Sequence, residues 1–102
     1  MAKLYRQGDV LLRKIDALPE GLAMVNSDVL AEGEATGHHH RLVGQTQIYE
    51  NEGRQRFVEV LDQRATLVHE EHKPIEIESG LYAVVNEREY NPFDQAMRRV
   101  MD

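Results

Sequence analysis

The five histidines of this chain occur in two short groups, His38-His39-His40 and then His69 and His72. Neutral imidazole is the commonest protein ligand for transition metals, so several imidazoles in one small domain predict a coordination site. On an extended strand, residues two apart face the same side. His38 and His40 can therefore reach a common ion, whereas His39 faces away.

His69 and His72 are three residues apart, so their rings converge only if the chain turns between them. The segment Glu70-Glu71-His72-Lys73-Pro74 is typical of a turn, because proline fixes its own φ and biases the preceding residue towards an extended conformation. The predicted metal ligands are His38, His40, His69 and His72. Four filled positions would make a closed structural site, and three ligands plus water would leave an open catalytic one. Zinc is the first expectation, and iron, nickel and manganese also suit imidazole ligands.

Three acidic residues near the histidines are candidates for a catalytic role: Glu34, Glu70 and Glu71. A carboxylate can complete the metal shell, orient a ligand imidazole or act as a general base on bound water. The alternative for Glu70 and Glu71 is a solvated turn. The chain has no cysteine and nothing that resembles a nucleophile elbow, and the sequence indicates no substrate.

The composition excludes several classes of function. Eighteen acidic residues against twelve basic ones give a net charge of −6, which argues against binding to nucleic acid or to anionic membranes. No segment has the apolar length of a signal peptide or membrane span. We therefore expect a cytoplasmic protein whose partners are a metal ion and an unidentified small molecule or protein.

The pattern along the chain predicts one domain, residues 1–102, built from short strands separated by turn signals. Residues 46–50 and 54–61 read as a hairpin around Asn51-Glu52-Gly53, and the segments 65–69, 75–78 and 81–85 read as separate strands. We expect an all-β fold, a compact antiparallel β-barrel or sandwich over residues 4–90.

The end of the chain predicts one short helix over residues 92–101. Asn91 is a suitable N-cap, Pro92 suits the first helical position, and an apolar stripe follows with helical spacing: Phe93, Ala96, Met97, Val100 and Met101. A helix of this length must pack on something, and we expect it to cover one opening of the sheet. The methionines of the stripe also allow a homodimer contact.

Several motifs in the chain resemble those of a known group of proteins: Arg6-Gln7-Gly8-Asp9-Val10, Gly33-Glu34-Ala35-Thr36-Gly37-His38-His39-His40-Arg41 and His69-Glu70-Glu71-His72-Lys73-Pro74-Ile75. The chain resembles a family of small uncharacterised proteins of bacteria and phages, from which no activity can be transferred. It also resembles the cupins, β-barrels that hold a metal with a His-x-His pair. No glutamate follows His40 at the short cupin distance, so the likeness is one of architecture and ligand type.

Three functions follow from these observations. The first is a small metal-binding β-barrel protein, with or without enzymatic activity. The second is a non-enzymatic binding or accessory module, phage-encoded in one version, in which the histidines are structural. The third is a pH-responsive interaction module that uses the histidines without metal.

Overall fold

The computed structural model of the protein describes residues 3–32 and 38–86, and these residues form eight β-strands. In chain order they are β1 Leu4–Gln7, β2 Val10–Ile15, β3 Ala23–Val25, β4 Val29–Glu32, β5 His39–Val43, β6 Thr46–Glu50, β7 Arg56–Val68 and β8 Ile75–Asn86. No helix among these residues is long and apolar enough to cross a membrane.

All strand pairs are antiparallel and belong to one sheet, with the order β1-β2-β8-β7-β5-β4. The long strands β7 and β8 form its central hairpin. One edge of β7 is shared by two strands, since β6 pairs with its first half and β5 with its last residues. The short strand β3 then extends the sheet from β6.

The central hairpin is bent. The register between β7 and β8 shifts between Val60 and Arg64, which is an irregularity of the β-bulge type that bends a strand and increases its twist. The sheet consequently curls into a half-barrel. Its curl brings β1 close to the far part of β7, where the Gln7 side chain donates a hydrogen bond to the carbonyl oxygen of Leu67.

The hydrophobic core lies inside this curl. The alternation of apolar and polar residues along each strand directs one set of side chains inwards. The buried cluster comprises Val10, Leu12, Leu30, Leu42, Ile48, Val58, Val60, Ala65, Leu67, Ile77, Tyr82 and Val84. Tyr82 packs edge-on against Tyr5 and donates its hydroxyl to the Glu78 carbonyl oxygen at 2.7 Å.

The prediction of a compact barrel or sandwich with a C-terminal helix is wrong. The described residues contain no helix, and their one sheet is open, because the outermost strands β1 and β4 do not pair with each other there. The predicted helix at 92–101 lies outside the described residues. The segments expected as four strands are two long ones of 13 and 12 residues, β7 and β8. Ser79-Gly80, which separates two of the expected strands, lies within β8. A glycine in the sequence can mark a bend within one strand as well as a turn between two.

Candidate functional site

The register between β5 and β7 brings the two histidine groups together. Their ladder ends at the pair Arg41 and Val68, beyond which β5 runs back towards His38 and β7 runs on into its connection with β8. The same antiparallel register, continued past the ladder, sets His40 opposite His69 and His38 opposite Glu71. Pairing between distant strands, rather than local spacing, therefore creates the juxtaposition.

Four imidazoles form what we call the histidine cluster: His38, His40, His69 and His72. The His69 ring contacts the other three, with centroid distances of 5.6 Å to His38, 4.3 Å to His40 and 4.6 Å to His72. The rings of His40 and His72 are nearly parallel, with centroids 6.0 Å apart. His40 is buried, His38 and His69 are half-buried and His72 is exposed, so the cluster opens to solvent on one side.

Buried His40 is held by buried Gln7. The Gln7 amide nitrogen donates to the carbonyl oxygens of Leu67 and Lys73, both at 2.9 Å, so its other amide atom must be the oxygen. That oxygen lies 3.0 Å from His40 Nδ1. A carbonyl oxygen only accepts, so His40 carries its proton on Nδ1 and keeps the lone pair on Nε2. This is the tautomer that a metal ligand needs when it binds through Nε2.

The environment of His40 favours its neutral form. Burial, together with the neighbouring rings of His69 and His72, lowers the pKa of His40 to about 4, whereas the charges of Asp9 and Glu70 oppose the shift. Desolvation penalises the charged imidazolium, and this cause is the largest. His40 is consequently neutral at physiological pH, as a metal ligand must be.

His72 reaches the cluster because residue 8 has no side chain. Gly8, in the turn between β1 and β2, has a φ of +58°, and a Cβ placed there would lie 2.6 Å from His72 Nε2. Any larger residue would therefore displace the ring.

The acidic residues of the connection between β7 and β8 contact the start of β5. Both carboxylate oxygens of Glu70 accept from the His39 backbone N–H, at 3.1 and 3.0 Å, and this hydrogen bond lowers the pKa of Glu70. Glu71 Oε1 lies 3.5 Å from His38 Nδ1. The Glu71 backbone N–H donates to His69 Nδ1 at 3.0 Å. The third predicted acid, Glu34, lies outside the described residues.

The separations between the rings are close to those in a zinc site. The side chains as they stand do not form such a site. Imidazoles around a tetrahedral zinc have ring centroids roughly 5 Å apart, given a Zn–N distance of about 2.1 Å. The observed separations of 4.3 to 6.0 Å lie on both sides of that value. Within the described ranges, no three histidine, aspartate or glutamate side chains are arranged to hold a metal ion.

Sequence reasoning missed Gln7 and Gly8 as members of the site. Both lie in the Arg6–Val10 motif, but nothing in their local spacing relates them to the histidines. A buried glutamine with three partners is visible only when β1 is seen beside β7.

A surface groove of about 600 Å³ lies elsewhere, between the loop that joins β3 to β4 and the turn that joins β5 to β6. Exposed Met24 and Val43 line it, and none of the histidines does. It is therefore separate from the histidine cluster.

Comparison with known proteins gives a family and no activity. No curated protein and no solved structure matches the chain. One family model matches residues 6–87, which is most of the chain, and the family is described as a domain of unknown function, DUF8820. The match confirms the predicted resemblance to an uncharacterised family, and it tests neither the individual motifs nor the likeness to cupins. The chain therefore belongs to the family described as domain of unknown function DUF8820.

Proposed function

We propose that the protein binds one divalent transition-metal ion at the histidine cluster, with His38, His40, His69 and His72 as the candidate ligands. Zinc is the first candidate, and iron, nickel and manganese are compatible with imidazole. The observation that supports the proposal best is the state of His40. Its buried ring is neutral, with Nδ1 committed to Gln7 and a lone pair on Nε2, beside the imidazoles of His69 and His72.

The surroundings of the cluster also favour a cation. Asp9 and Glu70 act on His40 with negative charge, and the Glu71 carboxylate lies beside His38. A metal-ligating imidazole usually donates its second ring nitrogen to a carbonyl or carboxylate, which is the arrangement that Gln7 gives to His40.

The contacts of Glu70 and Glu71 favour a role in orienting the histidine segments over a role in proton transfer. Glu70 is committed to a backbone N–H, and Glu71 faces an imidazole. In an enzymatic version of this function, metal-bound water or substrate would react, with Glu70, Glu71 or Glu34 assisting.

Metal content tests the proposal directly. Untagged protein purified without a nickel column should contain close to one equivalent of metal by elemental analysis, and the metal-free protein should bind Zn²⁺ in calorimetry. His40→Ala should weaken Zn²⁺ binding by more than about 100-fold, since losing a ligand should cost more than losing a hydrogen bond to a ligand. The matched control is His39→Ala, which should bind as the wild type does. Wild-type protein that binds none of these metals contradicts the proposal.

A second candidate is a non-enzymatic accessory module in which the histidines are structural. One observation favours it: Gln7 and the Glu71 backbone N–H already satisfy ring nitrogens of His40 and His69 without any ion. In that case the protein should contain no metal, and a chelator should leave the melting temperature unchanged.

A further inference from the structure

The Gln7 side chain contacts the segments that carry both groups of histidines. Its amide oxygen lies 3.0 Å from Nδ1 of His40, in the first group. Its amide nitrogen donates to the carbonyl oxygens of Leu67 and Lys73, at 2.9 Å in each case. These two residues stand on either side of residues 68–72, which carry the second group. A single amide therefore links His40 to both ends of the segment that carries the other group.

The orientation of the Gln7 amide is fixed by these contacts. Both of its N–H bonds are donated to backbone carbonyl oxygens, and its oxygen accepts from the His40 ring. If the amide turned over, its oxygen would face two other oxygens and its nitrogen would face an N–H donor. The position of the oxygen therefore fixes both the tautomer and the orientation of the His40 ring.

The turn after β1 contacts the histidine cluster at a second point. Gly8 directly follows Gln7, and a Cβ at this position would lie 2.6 Å from His72 Nε2. The end of β1 thus touches one ring of each histidine group, His40 through the amide and His72 through close packing. Among the described strands, β1 pairs with β2 alone. The position of β1 therefore depends in part on contacts with the cluster.

We propose, resting on the proposed metal-binding function, that Gln7 is the positioning residue of the metal site and couples metal binding to the docking of β1. Gln7 does not bind the ion. It holds the His40 ring with Nε2 available, and it holds the segment of the second histidine group beside that ring. The role of Gln7 does not depend on how many of the four rings bind the ion. By linkage, docking of β1 favours metal binding, and bound metal favours docked β1 to the same extent.

The state of His40 is tested first, in the metal-free protein. Long-range ¹H–¹⁵N correlation spectra at neutral pH should show His40 protonated on Nδ1 in the wild type. In Gln7→Met, which leaves this nitrogen without its acceptor, part of the His40 population should carry the proton on Nε2. A wild-type ring protonated on Nε2, or an unchanged ring in Gln7→Met, overturns the inference. The wild-type measurement needs no variant, so a folding defect cannot obscure it.

Zn²⁺ calorimetry tests whether Gln7 acts on the metal site. We expect Gln7→Met to weaken binding about 10- to 100-fold, the usual cost of losing a hydrogen-bond partner of a ligand. The matched control is Gln47→Met, because Gln47 also donates to two carbonyl oxygens but away from the cluster, and it should bind as the wild type does. Equal binding by the two variants overturns the inference and leaves the proposed function standing. Wild-type protein that does not bind Zn²⁺ removes the function itself.

A third variant separates the two parts of the amide. Gln7→Glu keeps an oxygen that accepts from His40 but loses the donors to Leu67 and Lys73. It should therefore bind Zn²⁺ more tightly than Gln7→Met. If it binds no better than Gln7→Met, the orienting role of the oxygen is overturned.

Hydrogen exchange tests the coupling to β1. Saturating Zn²⁺ should slow exchange of the β1 backbone amides in the wild type by about tenfold, within the usual range of coupling between sites. The matched control is β3, which among the described strands pairs with β6 alone and lies at the groove away from the cluster. Its exchange should not change. Wild-type protein that binds Zn²⁺ without slowing β1, or that slows both strands equally, overturns the coupling.

Discussion

At the scale of single residues, Gln7 makes three hydrogen bonds that join three parts of the chain. From β1 it reaches Leu67 in β7, Lys73 in the following connection and His40 in β5. Gln7 is only 2% exposed, and its contacts with Leu67 and His40 are buried. The same contacts that fasten β1 to the half-barrel therefore also set the tautomer of His40.

Replacing this amide with an apolar side chain of similar size should be costly. Gln7→Met leaves His40 Nδ1 without its acceptor and removes a donor from the carbonyl oxygens of Leu67 and Lys73, and we expect a loss of about 2–4 kcal/mol in the free energy of unfolding, measured by urea denaturation. The matched control is Gln47→Met, because Gln47 is half-buried and donates to two carbonyl oxygens, those of Val25 and Ile48. It should lose about 1 kcal/mol. Equal losses in the two variants would mean that the hydrogen bonds of Gln7 stabilise the fold no more than those of Gln47.

Substitution of Gly8 should have two effects that can be measured separately, backbone strain and displacement of the His72 ring. Gly8→Ala puts a Cβ at a φ of +58° and 2.6 Å from His72 Nε2, so the ring must move. Gly21→Ala is the control, because Gly21 has a φ of +79° and nothing within 4 Å of the added Cβ. Both should lose about 1–2 kcal/mol from backbone strain in thermal unfolding. Only Gly8→Ala should shift the His72 ring signals in NMR spectra, and unchanged signals would contradict the packing described.

The lowered pKa of His40 makes stability depend on pH in a defined direction. The unfolded imidazole titrates near 6.5 and the folded one near 4, so between these values the unfolded chain binds the extra proton. Stability is then complete above pH 6.5 and falls as the pH decreases towards 4. The total loss is on the order of 3 kcal/mol, at about 1.4 kcal/mol per pKa unit.

Urea unfolding of the metal-free protein at pH 7 and at pH 4.5 measures this loss. The other groups that act on His40 are the rings of His69 and His72 and the charges of Asp9 and Glu70. His40→Gln removes the titration itself and should flatten the dependence above pH 4.5. A slope that persists unchanged in that variant would assign it to those other groups.

At the scale of elements, the β5–β7 ladder ends where the site begins. Beyond the Arg41 and Val68 pair, the His39 backbone N–H has a carboxylate of Glu70 as its partner. The Glu70 carboxylate therefore accepts a hydrogen bond from β5 at a position where the backbones of β5 and β7 no longer pair. This contact ties the first residues of β5 to the connection that carries His69 and His72.

Removing the charge of Glu70 should loosen the start of β5. In Glu70→Ala, the His39 amide loses its acceptor, and we expect its hydrogen exchange to become several-fold faster by NMR. The matched control is Glu71→Ala, whose carboxylate lies beside the His38 ring and accepts no backbone N–H in the described structure. Exchange at His39 that responds equally to both changes would show that local charge, rather than the hydrogen bond, protects this amide.

At the scale of the whole molecule, the half-barrel depends on the inner face of the bent β7–β8 hairpin. Leu67 and Ile77 are fully buried on these two strands, while Leu61, at the bend of β7, is 58% exposed. Burial of the inner apolar side chains is what keeps the sheet curled.

Two leucines of β7 test whether its inner and outer faces differ in this way. Leu67→Ala should lower the free energy of unfolding by about 2–5 kcal/mol, because it empties part of the core. Leu61→Ala should change it by less than about 0.5 kcal/mol, as expected for an exposed position. Both values come from urea denaturation of the metal-free protein, and similar losses would contradict the inner and outer faces described for β7.

Sequence patterns could predict part of this molecule. The hairpin of β6 and β7 was predicted at 46–50 and 54–61, because alternation and an Asn-Glu-Gly turn are local signals, and the structure has strands at 46–50 and 56–68. The closed barrel was a wrong prediction, because curvature depends on a bulge and on pairing that no short window contains. Gln7 escaped prediction for the same reason, since its three partners are distant in sequence.

The sequence by itself determined which chemistry is available: imidazole and carboxylate without thiolate, on strands whose alternating residues face opposite sides. It also predicts that His38 and His40 face the same side of an extended chain, because of the two-residue period of a strand, whereas β5 itself begins at His39. Only the tertiary structure decided that His40 lies opposite His69, that Gln7 fixes its tautomer and that Gly8 admits His72. These facts depend on the register between β5 and β7 and on the curl of the sheet. Both are set by packing of the whole core.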